Sequence, residues 1–188
     1  MDNFSIHTPE SAPEASREAL DRLRTNVGFI PNLAATIAGS PTALQGFVAM
    51  QTSLRGSDLA PAEREVVGLT VSRENASPYS MAAHSTLAER AGLPPEEIAS
   101  LRAGENLTDA RLEALHVFTA ELLASRGHVS ADQLAELLAA GYSPENVLEV
   151  VTQVAYTTMA NLVANIAATP VDAAFEAHRW TAVSAGAS

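Results

Sequence analysis

The chain contains no cysteine. That absence excludes disulfides, thiolate metal sites and thiol catalysis by this polypeptide. Lysine is missing too, since all 11 basic side chains are arginine. Schiff-base chemistry through a lysine is therefore excluded. Positive charge is scarce overall: 22 acidic groups face those 11 arginines, for a net charge of -11. Such a surface repels phosphate backbones, so no nucleic-acid partner is expected. The first twenty residues lack a basic segment followed by an apolar one, so no signal peptide is expected and a cytoplasmic location is the default. No apolar run reads as a membrane span, and no membrane partner is expected. With five histidines and no soft ligands, neither a metal site nor a cofactor is expected.

What is present points to helices. The 188 residues suit one domain with a sizeable core, 47% of them are hydrophobic, and Ala and Leu outweigh β-branched runs. The chain reads as helix after helix, many opening on Pro or Ser and closing near Gly. "PEASREALDRLRTNVG", "PTALQGFVAMQTSLRG" and "SADQLAELLAAG" follow this grammar. "TDARLEALHVFTAELLASRG" suggests a helix capped by Thr108. "SPENVLEVVTQVAYTTMANLVANIAAT" is the longest and most apolar segment, which predicts a central helix. There are no hairpin signals, solenoid repeats or low-complexity stretches. The expected architecture is a single all-α domain over residues 13–183, with a loose N-terminal tail at 1–12 and a C-terminal tail at 184–188.

The chemistry concentrates in "SRENASPYSMAAHSTLAERAG". Ser77 suits a helix N-cap, with Pro78 in the first turn. Ser80 follows Ser77 by three residues and His84 follows Ser80 by four, so the three share one helix face. Glu65 lies in the preceding helix, and a short link at Asn75-Ala76 predicts a helical hairpin. Glu65 and His84 then stand at similar distances from the bend, within reach of one another. A histidine beside a carboxylate can act as a general base or proton relay. The plainer reading makes Ser77 a cap, His84 a hydrogen-bonded core residue and Glu65 a surface carboxylate. The other histidines carry less: His7 sits in the tail, His116 in a helix, His128 beside a turn and His178 near a helix end. Asn161 and Asn165 lie four apart in the long helix and suggest cross-links between helices.

Taken together, these residues resemble the AhpD-like, or carboxymuconolactone decarboxylase-like, family, and most closely its peroxidase-related branch. The family motif reads Glu, eleven residues, Cys-x-x-Cys, three residues, His. Glu65, Ser77, Ser80 and His84 occupy its four positions with the spacing intact. The flanks "VGFIPNLAATIAGSPTAL" and "LAPAEREVVGLTVSREN" also match, over about Val27 to Pro170. The resemblance implies an AhpD-like helical bundle that assembles as a homo-oligomer: trimer, dimer or hexamer. It implies that Ser80 replaces the peroxidatic cysteine and Ser77 the resolving one, while His84 and Glu65 keep the proton relay.

An alcohol cannot become a sulfenic acid or form a disulfide. No thiol peroxidase turnover is therefore expected of this chain. Three readings stay open. One is an alkylhydroperoxidase-type site in cysteine-free form, with serines substituted for both cysteines. Another is a non-redox acid-base enzyme of the carboxymuconolactone decarboxylase type. A Ser80-His84-Glu65 hydrolase is a weaker variant of it, since no oxyanion-hole motif is present. The third is a non-catalytic ligand-binding or assembly protein. The expected small-molecule partner is a hydroperoxide, or a small organic acid or lactone.

Overall fold

A computed structural model describes residues 4–181. Residues 1–3 and 182–188, which include the expected C-terminal tail, lie outside the described part. The described residues form α1 (Glu14–Val27), α2 (Asn32–Ile37), α3 (Pro41–Leu54), α4 (Pro61–Glu74), α5 (Pro78–Arg90), α6 (Pro95–Ala103), α7 (Ala110–Ala124), α8 (Ala131–Ala139) and α9 (Pro144–Ile166). A 3-10 helix, Ala173–His178, follows. No strand occurs among the described residues. The fold is all-α.

Several helix ends follow the sequence grammar. Ser40, Ser130 and Ser143 cap α3, α8 and α9 with their side chains. Thr108, expected to cap α7, does not. Asp109 takes that role and accepts from the backbone N–H groups of Arg111 and Leu112. Thr108 instead turns its hydroxyl to Glu97, whose carboxylate also collects the Thr108 and Asp109 amides. A carboxylate fed by several donors outcompetes a cap available from the next residue. The N-terminal stretch, expected as a loose tail, is tied on at two points. The His7 N–H donates to the Ala35 carbonyl at 3.1 Å, and Ala12 is buried in the core.

The central helix is α4, not α9 as its apolar composition predicted. Val66, Val67, Leu69, Thr70 and Val71 are all buried, so α4 is enclosed on every side. One core lies between α4, α7, α8 and the first half of α9, around Leu69, Leu115, Phe118 and Val150. A second gathers α1, α2, α3, α5 and the last half of α9, around Leu20, Leu44, Phe47 and Ala160. In α9 apolar residues run around the whole circumference, leaving Leu148, Leu162 and Ile166 58–71% exposed. This helix is also long and apolar enough to cross a membrane by length and composition, which amends the sequence expectation. Its polar groups are nevertheless wired into the bundle. The Asn161 side chain accepts from Asn75 at 3.0 Å and donates to Ser72, while Asn165 donates to the Asn75 carbonyl at 2.9 Å.

These bonds hold the bend between α4 and α5. The Ser77 N–H donates to the Ser72 carbonyl and the Ala76 N–H to the Arg73 carbonyl, a Schellman closure. Ala76 takes the left-handed position at φ 46°, where glycine is usual. The non-glycine residue costs about 1–2 kcal/mol there. The bend turns α5 back along α4.

Because Leu69 is fully buried on the central helix, Leu69→Ala is expected to cost about 2–5 kcal/mol. Urea unfolding should show a lower midpoint with an unchanged slope.

Candidate active site

The α4–α5 hairpin sets Glu65 opposite His84, and Glu65 Oε2 lies 2.7 Å from His84 Nδ1. Both side chains are largely buried, at 16% and 10% exposure. An ionised carboxylate only accepts, so Nδ1–H is the donor and Nε2 keeps the free lone pair. This is the tautomer a base needs.

His84 owes its seat to Gly68. A Cβ at that position would lie 2.5 Å from Nδ1 and 2.6 Å from Cε1. The imidazole therefore rests against the bare backbone of α4. A glycine in a helix interior costs about 1 kcal/mol relative to alanine, and that mid-helix cost was the signal in the sequence that could have marked this residue.

Ser77 and Ser80 are buried, at 0% and 2% exposure. Ser77 holds the N-cap position of α5, yet its hydroxyl makes no cap hydrogen bond. Among the described residues neither Ser77 Oγ nor Ser80 Oγ has a partner. Ser80 thus makes no hydrogen bond to His84, and no activated-serine triad is formed. A buried unpaired hydroxyl costs about 1–3 kcal/mol. A thiol, a weak donor that behaves as a small hydrophobe, would fit the same surroundings at less cost.

Ser80, His84 and Glu65 open onto a cavity of about 320 Å³. Ser77 lies outside its lining. The wall is chiefly apolar, with Leu23, Phe29, Phe47, Leu54 and Phe175 among its residues. Two polar devices brace it. The Tyr79 hydroxyl donates to Asp172 at 2.6 Å and accepts from the Leu33 N–H, while Asp172 also accepts from the Asn32 N–H. Burial pushes the Tyr79 hydroxyl pKa up, and Asp172 reinforces that. Burial likewise raises Asp172, against the hydrogen bond from Tyr79. The cluster ties α2, α5 and the 3-10 helix into one wall. On another side Gln51 donates to the Tyr156 hydroxyl at 3.2 Å. Sequence reasoning missed Asp172 because its partners are remote along the chain.

The remaining histidines do not join this site. His116 meets Thr70 Oγ1 at 2.8 Å. Thr70 spends its single proton on the Val66 carbonyl, so His116 Nδ1–H must donate. Burial lowers the His116 pKa. His178 pairs with Glu89 and His7 with Ser11. His128 follows the Gly127 turn. Among the described residues no three His, Asp or Glu side chains gather as a metal site.

The architecture is shared with solved structures. A peroxidase-related protein from Ralstonia eutropha JMP134, described as an alkylhydroperoxidase AhpD core, superposes with TM-score 0.82 at 19% identity, over 92% of this chain and 93% of that one. A peroxidase-related protein from Silicibacter sp. TM1040 gives 0.79 at 21%, over 92% of each. A variant of the debrominase Bmp8 in complex with 2,3,4-tribromopyrrole gives 0.75 at 17%, over 94% of this chain and 95% of that one. The chain therefore has the AhpD-like fold. Its residues 41–120, from α3 through most of α7 with Glu65, Ser77, Ser80 and His84 inside them, match the model of the carboxymuconolactone decarboxylase family. No curated protein matches the chain at a significant level.

Gly68→Ala is expected to expel the His84 ring despite the better helix propensity of alanine. The measurement is the imidazole nitrogen NMR spectrum, where the Nδ1–H signal bonded to Glu65 should disappear. A separate test concerns His116. Its folded pKa lies below the ordinary value of about 6.5, so the neutral ring favours the folded state. That contribution is complete above the unfolded pKa and is lost as pH falls through the folded pKa. Denaturation across pH 7 to 4 should show a loss of stability that is smaller in His116→Gln.

Proposed function

We propose that this chain is a non-redox acid-base enzyme on the AhpD-like scaffold, acting on a small, largely apolar organic molecule. One observation carries the reading: a 2.7 Å Glu65–His84 pair opens onto a predominantly apolar cavity in a chain without sulfur nucleophiles. His84 Nε2 takes a proton from a carbon next to a carbonyl, and the electron pair of the broken C–H bond moves into that carbonyl. Glu65 stabilises the imidazolium that results. The pair then moves back out of the enolate oxygen through the conjugated double bond, and His84 returns the proton at the γ carbon, which completes a 1,3 shift. A small ring fits the volume, and the relative that holds 2,3,4-tribromopyrrole supports an occupant of that size.

A second reading has its own support. The unpartnered Ser77 and Ser80 hydroxyls suit thiols better than alcohols, which favours an alkylhydroperoxidase-type site in cysteine-free form. In that case the relay is kept and its redox partner is absent. Exposed Leu148, Leu162 and Ile166 on α9 support assembly as a homo-oligomer under either reading.

Isomerisation of a β,γ-unsaturated butenolide, followed by ultraviolet absorbance, tests the first reading. His84→Ala and Glu65→Gln are expected to lower the rate, by about 10²–10⁴-fold for the histidine variant. Unchanged rates in both would overturn it. For the second reading, the unsubstituted chain should reduce no alkyl hydroperoxide with a dithiol reductant. The Ser77→Cys/Ser80→Cys double variant should gain that activity, and each single variant should fall short of it.

A further inference from the structure

The cavity that holds the acid-base pair carries a charge opposite to that of the protein. The chain has a net charge of -11, yet Arg55, Arg64 and Arg90 all line the cavity, and among the described residues Glu65 is its sole acidic lining residue. Glu65 is already committed to His84. Elsewhere arginines are mostly consumed by carboxylates: Arg22, Arg24, Arg73, Arg111 and Arg179 all form ion pairs. The cavity arginines do not. Among the described residues the guanidinium groups of Arg55 and Arg90 make neither a hydrogen bond nor an ion pair. Arg64 bonds only to neutral acceptors, the Leu59 carbonyl at 3.0 Å and Ser57 Oγ at 3.4 Å.

Topology brings the three to one end of the bundle. Arg64 precedes Glu65 near the start of α4, and Arg90 closes α5, which runs back along α4. Arg55 ends α3, and the loop after it supplies the acceptors that hold Arg64. On α5 the lining residues Ser80, Ala83, His84, Leu87 and Arg90 form one stripe at helical spacing. Arg90 lies six residues beyond His84, roughly 9 Å along the axis at 1.5 Å per residue. The exposed arginines thus mark the rim, and the apolar wall and the base lie deeper.

We propose that this site selects a monoanionic amphiphile, a carboxylate with a compact apolar body. The carboxylate docks on Arg55 and Arg90 at the rim, beside the fixed Arg64. The body fills the space against Phe29, Phe47 and Phe175 and brings its reactive carbon toward His84. Guanidinium forks match carboxylate geometry and are weakly hydrated, so they suit this task where an ammonium would not. In an otherwise acidic protein the rim also supplies the local attraction that an anion needs to approach. This assignment rests on the acid-base reading for the orientation of the ligand, though not for its charge.

Calorimetric titration with matched probes tests the assignment: 3-phenylpropionate against 3-phenylpropanol, and hexanoate against hexanol. The anion of at least one pair is expected to bind about ten-fold tighter than its alcohol. That preference should shrink between 20 mM and 500 mM salt, as screening of a partly exposed site requires. Arg55→Gln/Arg90→Gln, at two exposed positions, should abolish the preference while leaving alcohol binding and the circular dichroism spectrum unchanged. Equal binding of anion and alcohol in both pairs, no binding of either, or a preference that survives the double substitution would overturn the proposal. His84→Ala separates the two claims: it should keep the anion preference even though butenolide turnover is lost. A folded His84→Ala variant that loses the preference would also count against the rim assignment.

Discussion

The hydrogen bond between Glu65 and His84 is the contact around which this end of the molecule is organised. It spans the two arms of the α4–α5 hairpin and joins a carboxylate and an imidazole that are both largely withdrawn from water. Each group would be costly to bury alone. Together they satisfy one another and leave one ring nitrogen available for chemistry. The bond exists because several unrelated parts of the chain agree on its geometry. Gly68 lets the imidazole lie against α4, and the Schellman closure with Ala76 turns α5 back. Asn161 and Asn165 then fasten that turn to α9.

Around the pair the fold builds a chamber from segments distant along the chain. The Tyr79–Asp172 contact draws the 3-10 helix and the start of α2 onto α5, which closes one side. The Gln51–Tyr156 bond links α3 to α9 on another. These are short polar braces within an apolar wall, so they fix shape at little cost in pocket hydrophobicity. The two serines differ in kind from the braces. Their hydroxyls are buried without partners in the place where the family pattern carries sulfur. Unpaired buried hydroxyls cost stability, and that cost falls on the helix that carries His84.

Much of the architecture was legible in the chain itself. Pro, Ser and Gly punctuation located the helices, and the register of Glu65, Ser77, Ser80 and His84 placed the four in one hairpin. Where the reading diverged, packing was the cause. The most apolar helix was expected at the centre, but its apolar residues are spread around its circumference and part of them faces outward. The less apolar α4 is enclosed because neighbours cover it on all sides. Thr108 looked like a cap until Glu97, from a different helix, claimed its hydroxyl. Local propensity ranks what a residue can do alone, whereas a partner from elsewhere decides what it does.

The sequence by itself determined an all-α chain without thiol or Schiff-base chemistry, with a carboxylate and a histidine in register on two neighbouring helices. Those conclusions need only residue identity and helical spacing, which are properties of local chain. The tertiary structure alone decided that Asp172 meets Tyr79, that Gly68 seats the imidazole and that Ser80 is left without a bond to His84. It also decided that Arg64 of α4, Arg90 of α5 and Arg55 at the end of α3 line one cavity without carboxylate partners among the described residues. Such facts depend on distances between segments far apart in the chain, and these are set only when the two cores close and fix every helix against its neighbours.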